Sequence, residues 1–373
     1  MKSNPHVYPY TPFRYLGKAQ PTSTFLPRRT VGLTAVKRVL SVNPIPRVML
    51  HGRMPAEKIM SIFLNPAVRF GPREYITGHS TEWLEKIERF TSRGKPIQFT
   101  ILGFPFKTPV PLKTNRQLPD LGELLALQRL AHLMRLVHRA YAPGGVVTVF
   151  TEGPFAPFAG VSRTEAAAYR RQLAHLCRRF GFSAKVKLVD LGTLERFVPR
   201  FRHELSVRVA MFRRQHQARD KAFMEKFTAT LPSVYRIMNT RGLPLDFLRA
   251  VYADAPHRLS SRATSLQRGL RRRTTETIFQ YFAYLKVRDD FNLIERARPD
   301  ALALTVSPKP HRLGIIPLRR GIEVLYTHGV PVVHHQRVAI EYLFDLERSG
   351  GSYTPIYFNE DPEGKPFYYL RDH

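Results

Sequence analysis

The chain has 373 residues, with 59 Lys and Arg against 29 Asp and Glu, a formal net charge of +30 at pH 7. Hydrophobic residues make up 43% and aromatics 11%, enough apolar surface to build a core, which excludes a wholly disordered chain. The most apolar stretch, 144–161, carries Glu152, Pro154 and Pro157, so no run of about 20 apolar residues offers a membrane-spanning helix.

Residues 1–55 read as an extended, Pro-punctuated N-terminal segment. They lack the apolar core of a signal peptide, and their Pro, Tyr and Phe content differs from the Ser and Arg of a transit peptide. With Cys177 the sole cysteine, no internal disulfide can form, and a cytoplasmic location is expected. A helix is predicted near 56–63. A second follows Ser80, where Trp83, Leu84, Ile87 and Phe90 recur at helical spacing until Gly94 and Pro96 end it. The apolar run 97–102 then predicts a buried strand. Asp120 with Glu123 three positions on opens a helix whose leucines and methionine fill two adjoining stripes, and Pro143-Gly144-Gly145 closes it. Residues 146–150 predict a second strand. Ser162 and Glu165 form a capping box for a helix that ends at Phe180 with Gly181 beyond, placing Cys177 on its apolar face. A third strand is predicted over 185–190.

Strands alternating with helices predict an α/β fold: a Rossmann-like, largely parallel sheet flanked by helices. The turn after Leu102 reads Gly103-Phe104-Pro105-Phe106, not a dinucleotide fingerprint, so no nicotinamide or flavin is expected. Residues 195–298 read as a basic, mainly helical insertion or cap. Strands are predicted again over 301–306, 312–317, 322–326 and 330–333, the first two joined by a hairpin loop at 307–311. Residues 56–345 thus form the α/β domain and 346–373 a C-terminal tail.

The net charge points to polyanions: nucleic acid, anionic lipid or phosphorylated metabolites. Arginine pairs such as Arg28-Arg29, Arg170-Arg171, Arg178-Arg179, Arg213-Arg214 and Arg319-Arg320 are scattered, and Arg271-Arg272-Arg273 is the longest basic run. No helix-turn-helix, zinc-finger or RRM-type motif accompanies them, which argues against nucleic acid and for solvated faces.

Ligands of open α/β sheets gather outside the carboxyl ends of the strands. That rule selects the loop after Leu102, with Lys107 and Lys113 for an anion, and the loop after Phe150, with Glu152 as a carboxylate base. Phe104, Phe106 and Phe155 would supply an apolar wall. A cation facing a carboxylate there can tune acid/base chemistry; the alternative is an ordinary surface ion pair between Lys107 and Glu152.

These loops also carry a resemblance. The run Gly103-Phe104-Pro105-Phe106-Lys107-Thr108-Pro109, the following Leu118-Pro119-Asp120 and the helix over 124–127 are similar to the signature of the pyoverdine/dityrosine biosynthesis family, the isocyanide (isonitrile) synthases. So are Phe150-Thr151-Glu152-Gly153 with Gly160-Val161, and residues 298–308 with 313–316. Thr327-His328 falls where the family often has Trp-His. The resemblance covers about 56–345. It implies a cofactor-independent enzyme that condenses the α-amine of an amino acid, aromatic in kind, with the ketone of ribulose 5-phosphate. Loss of phosphate and carbon–carbon cleavage would leave one sugar carbon on nitrogen as an isocyanide; a fungal branch yields N-formyl-tyrosine instead. Departures stand at Val110, where the family has Asn, at Glu152 for Asp, at Ser307 for His and at Thr327 for Trp.

Set against that chemistry, Glu152 or His328 would deprotonate the amine. Lys107, Lys113, Lys309 or Arg312 would hold the phosphate and polarise the ketone, and Lys107 could instead form a Schiff base. The other reading of His328 is a structural histidine. His311 and His334-His335 lack a ligand spacing with carboxylates, so no metal is expected. A downstream oxygenase is a candidate partner, an acidic carrier protein would suit the positive surface, and no membrane partner is expected. The alternative from another class is a non-catalytic, basic nucleic-acid-binding or scaffold protein that works through 200–273.

Overall fold

The computed structural model describes residues 22–41, 48–108, 110, 112–238, 240–241, 243–245, 247–248, 265–306, 309, 311–318, 327–335 and 337–372. The N-terminal segment, expected to be extended, holds two short exposed strands, β1 (Thr24–Phe25) and β2 (Arg29–Val31), and then a helix, α1 (Leu33–Ser41), that buries Val36 and Leu40. The i, i+4 spacing of those two residues is a helical one that the surrounding prolines obscure. Three helices follow, α2 (Pro55–Leu64), α3 (Glu74–Thr77) and α4 (Ser80–Thr91). The apolar runs form strands as predicted: β3 (Ile97–Gly103), β4 (Gly145–Thr151) and β5 (Val186–Asp190), joined by α5 (Leu121–Ala140) and α6 (Arg163–Arg179). Both capping boxes form, with Asp120 accepting from the Gly122 amide and Ser162 from the Glu165 amide. Cys177 is buried under α6, its thiol pushed up to about 11 by that burial.

The basic stretch that follows is helical: α7 (Phe201–Gln217), α8 (Lys221–Ile237), the 26-residue α9 (Ser265–Asp290) and α10 (Leu293–Ala297). Phe212, Phe223, Phe279 and Phe282 interlock where α7, α8 and α9 meet. Among the described residues no helix is long and apolar enough to cross a membrane.

The chain then returns to the sheet as β6 (Leu302–Thr305) and β7 (Leu313–Gly314). All neighbours in this five-stranded sheet run parallel, in the order β5-β4-β3-β6-β7. The hairpin expected at 307–311 is therefore corrected. β6 and β7 pair in parallel, with Leu304 opposite Leu313. The seven residues 306–312 suffice because β7 is two residues long, and a segment of that length reaches roughly 23 Å when extended. The strand predicted over 322–326 lies outside the described residues.

A second, mixed sheet is built from β8 (Val330–His334), β9 (Arg337–Glu341), β10 (Ser352–Phe358) and β11 (Tyr368–Arg371), with the short helix α11 (Leu343–Glu347) between β9 and β10. Its order is β1-β10-β11-β8-β9, with β2 also on β10. The C-terminal stretch read as a tail, 346–373, thus contributes two central strands of this sheet, β10 and β11. The signal was masked by Pro355, which demotes a strand reading, although Tyr353, Ile356 and Phe358 are buried. Helix α5 contacts β4 and β5 of the parallel sheet and β8 of the mixed sheet. Burial on two sides explains its two adjoining apolar stripes.

Candidate active site

β3 pairs with β4 on one side and β6 on the other, so the strand order reverses there and a crevice opens at the carboxyl ends. Phe104, just past β3, has φ +50, a left-handed backbone that a bulky residue adopts only at a cost of about 1–3 kcal/mol. Glu152 directly follows β4 and leads into a 3-10 turn, Gly153–Phe155. Lys309 lies beyond the end of β6, and Arg312 directly precedes β7. Helix α9 is fixed to the same region by the Thr277 hydroxyl, which donates to the Phe158 carbonyl at 2.6 Å. Its last turns carry Tyr281, Tyr284, Arg288 and Asp289.

The electrostatics of this group are unusual. Burial pushes the Glu152 carboxyl above its ordinary range, and the charges of Arg288 and Lys309 pull it back. Burial likewise lowers the Lys309 ammonium; Arg312 and Arg288 lower it further, while Glu152 and Asp289 oppose them. Arg312 is depressed by burial and by Arg288. Arg288 is itself buried and holds Asp289 with two bonds of 2.7 and 2.9 Å. Three cations therefore lie within electrostatic reach of two carboxylates, and Arg288 disfavours the charged forms of Lys309 and Arg312. A multiply charged anion entering among them would relieve that repulsion through charge-assisted hydrogen bonds. Beside them, Phe106, Phe155, Tyr284 and Val287 form one apolar cluster with Tyr281 packed against it. The Phe155 ring meets those of Tyr281 and Tyr284 edge-on at 4.9 Å each. Burial and the charge of Glu152 raise the Tyr281 phenol, so it stays a neutral donor.

The structure thus brings together Glu152, Lys309, Arg312, Phe106 and Phe155, all expected at the site, and adds Arg288, Asp289 and Tyr281, which were missed. The signal for Arg288 was present. It falls at i+7 from Tyr281 and i+4 from Tyr284, on the same helical face.

Lys107 requires correction. Its Nζ lies 2.5 Å from Asp120 Oδ2 and 3.1 Å from Glu123 Oε2, with no exposed side-chain surface on any of the three. It is therefore not a surface ion pair with Glu152, and its Nζ is taken up by Asp120 and Glu123 rather than turned toward Glu152. Asp120 and Glu123 crowd together there, and burial pushes Glu123 up to about 8 against the pull of Lys107. Tyr169 donates to the other Glu123 oxygen at 3.3 Å. The group anchors the loop after β3 to the start of α5.

Three further expectations move as well. Lys113 is buried, and its carbonyl accepts from the Leu343 amide at the start of α11, so its backbone belongs beside the mixed sheet. Phe104 packs into the main core rather than with Phe106 and Phe155. His328, half-buried, stands just before β8 of the mixed sheet; the strand it was expected to follow, 322–326, lies outside the described residues. Sequence reasoning also missed Arg116, which is fully buried. It makes two 2.9 Å bonds to Asp361 and donates to the carbonyls of Lys365 and Pro119, tying the 359–367 loop to the loop after β3.

The sequence model of the family described as pyoverdine/dityrosine biosynthesis protein matches residues 87–311. That span holds Glu152, Arg288 and Lys309. An L-tyrosine isonitrile synthase of Pseudomonas aeruginosa is 25% identical over 302 residues, covering 77% of this chain and 83% of that protein. The L-tryptophan isonitrile synthase AmbI1 of Fischerella ambigua is 31% identical over 102 residues, 27% of this chain and 32% of that protein. The crystal structure of the PvcA protein from Pseudomonas aeruginosa shares the fold with a TM-score of 0.64 at 21% identity, over 85% of this chain and 99% of that one. With the family's sequence pattern matched over more than half its length, the chain belongs to the pyoverdine/dityrosine biosynthesis protein family.

Proposed function

We propose that the protein is an enzyme, an isonitrile synthase that joins the α-amine of an aromatic amino acid to the ketone of a pentulose phosphate, ribulose 5-phosphate. The observation that carries this reading is the gathering of Arg288, Lys309 and Arg312 around Glu152 at the strand tips. A phosphate dianion satisfies three mutually repelling cations better than any neutral ligand. Glu152, held as a carboxylate of raised proton affinity, is suited to take the proton that the substrate ammonium must lose before it attacks. Lys309 and Arg288, the cations nearest that base in electrostatic effect, would then stabilise the negative charge that develops on the ketone oxygen.

Phe106, Phe155, Tyr281 and Tyr284 offer an aromatic side chain its apolar contacts. Glu152 is a better candidate base than His328, which opens a strand of the other sheet. The all-parallel strand order with its reversal at β3 supports a Rossmann-like reading of the sheet, with substrates in place of a dinucleotide at the switch point. The reaction would proceed without a cofactor, in the cytoplasm.

The test is mass spectrometry after incubation with ribulose 5-phosphate and a pool of amino acids. The expected product carries one added carbon as an isocyanide. An N-formyl product, one water heavier, would keep the site assignment and change the outcome of the reaction. Consumption of neither substrate would overturn the reading.

A further inference from the structure

Among the described residues, one side-chain group that the candidate active site does not use has the donor set of a metal centre, although His311 directly precedes Arg312. The ligating atoms of His79, Glu82 and His311 all lie within 4.8 Å of one another. The backbone brings them together from distant parts of the chain. His79 is the N-cap of α4, yet its side chain makes no capping bond. Glu82, in the first turn of that helix, lies three residues on and so on the same face. His311 arrives from the loop between β6 and β7 with φ +59, a left-handed conformation in which His is over-represented but which few residues adopt. The two imidazole rings sit 3.9 Å apart at 48°.

We propose that His79, Glu82 and His311 bind a divalent transition ion of the zinc class, with the remaining coordination position left to water. Two imidazole nitrogens and one carboxylate oxygen match the borderline preference of Zn2+, whereas Mg2+ and Ca2+ favour oxygen donors throughout. Bonds of about 2.0–2.2 Å require the donor atoms to close in by roughly 1 Å, which rotation of these side chains supplies. Glu82 also pairs with Lys86 at 3.1 Å. That contact is solvent-exposed and weak, so it yields to a metal. The bound ion would cross-link α4 to the 306–312 loop. The donor set stands without the isonitrile synthase reading, and an ion there would also steady the loop that carries Lys309 and Arg312.

The chain carries its own reporter. Trp83 is the single tryptophan, and its ring lies 5.9 Å from that of His79. In tag-free protein, Cu2+ should quench Trp83 fluorescence saturably at one equivalent, with recovery on adding a chelator. Zn2+ titration calorimetry should show one site and a raised melting temperature. His311→Asn, which tolerates the left-handed backbone, and His79→Asn, which keeps an N-cap residue, should each weaken Zn2+ binding at least about 100-fold; changes around a metal site that leave every ligand in place cost about 10–100-fold. His335→Ala should leave the affinity unchanged. Zn2+ binding weaker than about 1 mM, or an affinity unaltered by His311→Asn, would overturn the proposal.

Discussion

Replacing Lys107 by Met keeps the length of the side chain and deletes its charge. In the native protein that charge sits 2.5 Å from Asp120 and 3.1 Å from Glu123, and none of the three side chains is exposed. Removing one partner of a buried ion pair typically costs about 3–5 kcal/mol, because the remaining charges stay buried without compensation. At about 2.1 cal/mol/K of unfolding entropy per residue, a chain of 373 residues loses roughly 4–6 °C in Tm. The assay pairs scanning calorimetry with steady-state turnover at 20 °C. The single variant should melt early and keep its turnover in the folded fraction. The double variant Lys107→Met, Asp120→Asn removes the carboxylate that Lys107 compensates, keeps a capping residue at the start of α5, and should recover at least half of the lost Tm. A Tm within about 1 °C of the parent would refute the reasoning. So would a 100-fold loss of turnover at unchanged Tm, which would return Lys107 to the chemistry.

Glu123 gives a pH test. Burial raises it from an ordinary 4.5 to about 8, so the folded state keeps a proton that the unfolded chain releases. Its contribution to stability is complete below about 4.5 and is lost as pH rises through about 8. Tm should fall from pH 6 to 9, and Glu123→Gln should flatten that slope; parallel slopes would refute it. Glu152→Gln should preserve Tm and lower kcat by about 10²–10⁴-fold, the usual worth of a general base. Arg288 lowers the Glu152 carboxyl, so Arg288→Met should move the acid limb of the pH–rate profile to higher pH; a shift the other way would contradict the geometry. Lys309→Met and Arg312→Met should each raise KM for the sugar phosphate about 10–150-fold, the equivalent of one charge-assisted hydrogen bond of about 1.5–3 kcal/mol. Unchanged KM in both would remove the phosphate site.

The parts of the fold legible in the sequence were those with local causes. The capping boxes at Asp120 and Ser162, the stop at Gly181 and the short apolar runs over 97–102 and 146–150 each declare themselves within a few residues. The parallel pairing that joins them follows from their alternation with helices. The mixed sheet was hidden because its strands β1, β2 and β10 come from opposite ends of the chain, and because Pro355 interrupts the last of them. At the site, the strand-tip rule found Glu152 directly, and the resemblance added Lys309 and Arg312. Lys107 was misread for a physical reason. A lysine near a strand tip looks like a substrate cation until the helix-capping carboxylates thirteen and sixteen positions further along turn toward it; these were read for their capping role alone.

The pairing of β1 with β10 sets Thr24 against Ser352, a separation of 328 residues (352 − 24). Ribosomes add about 5–20 residues per second, so the N-terminal strands wait roughly 15–65 s before their partner exists. The parallel sheet, complete by Gly314, can assemble within that interval. Throughout it, the amino-terminal strands lack the strand they pair with, so their place in the mixed sheet depends on nearly the whole chain having been made.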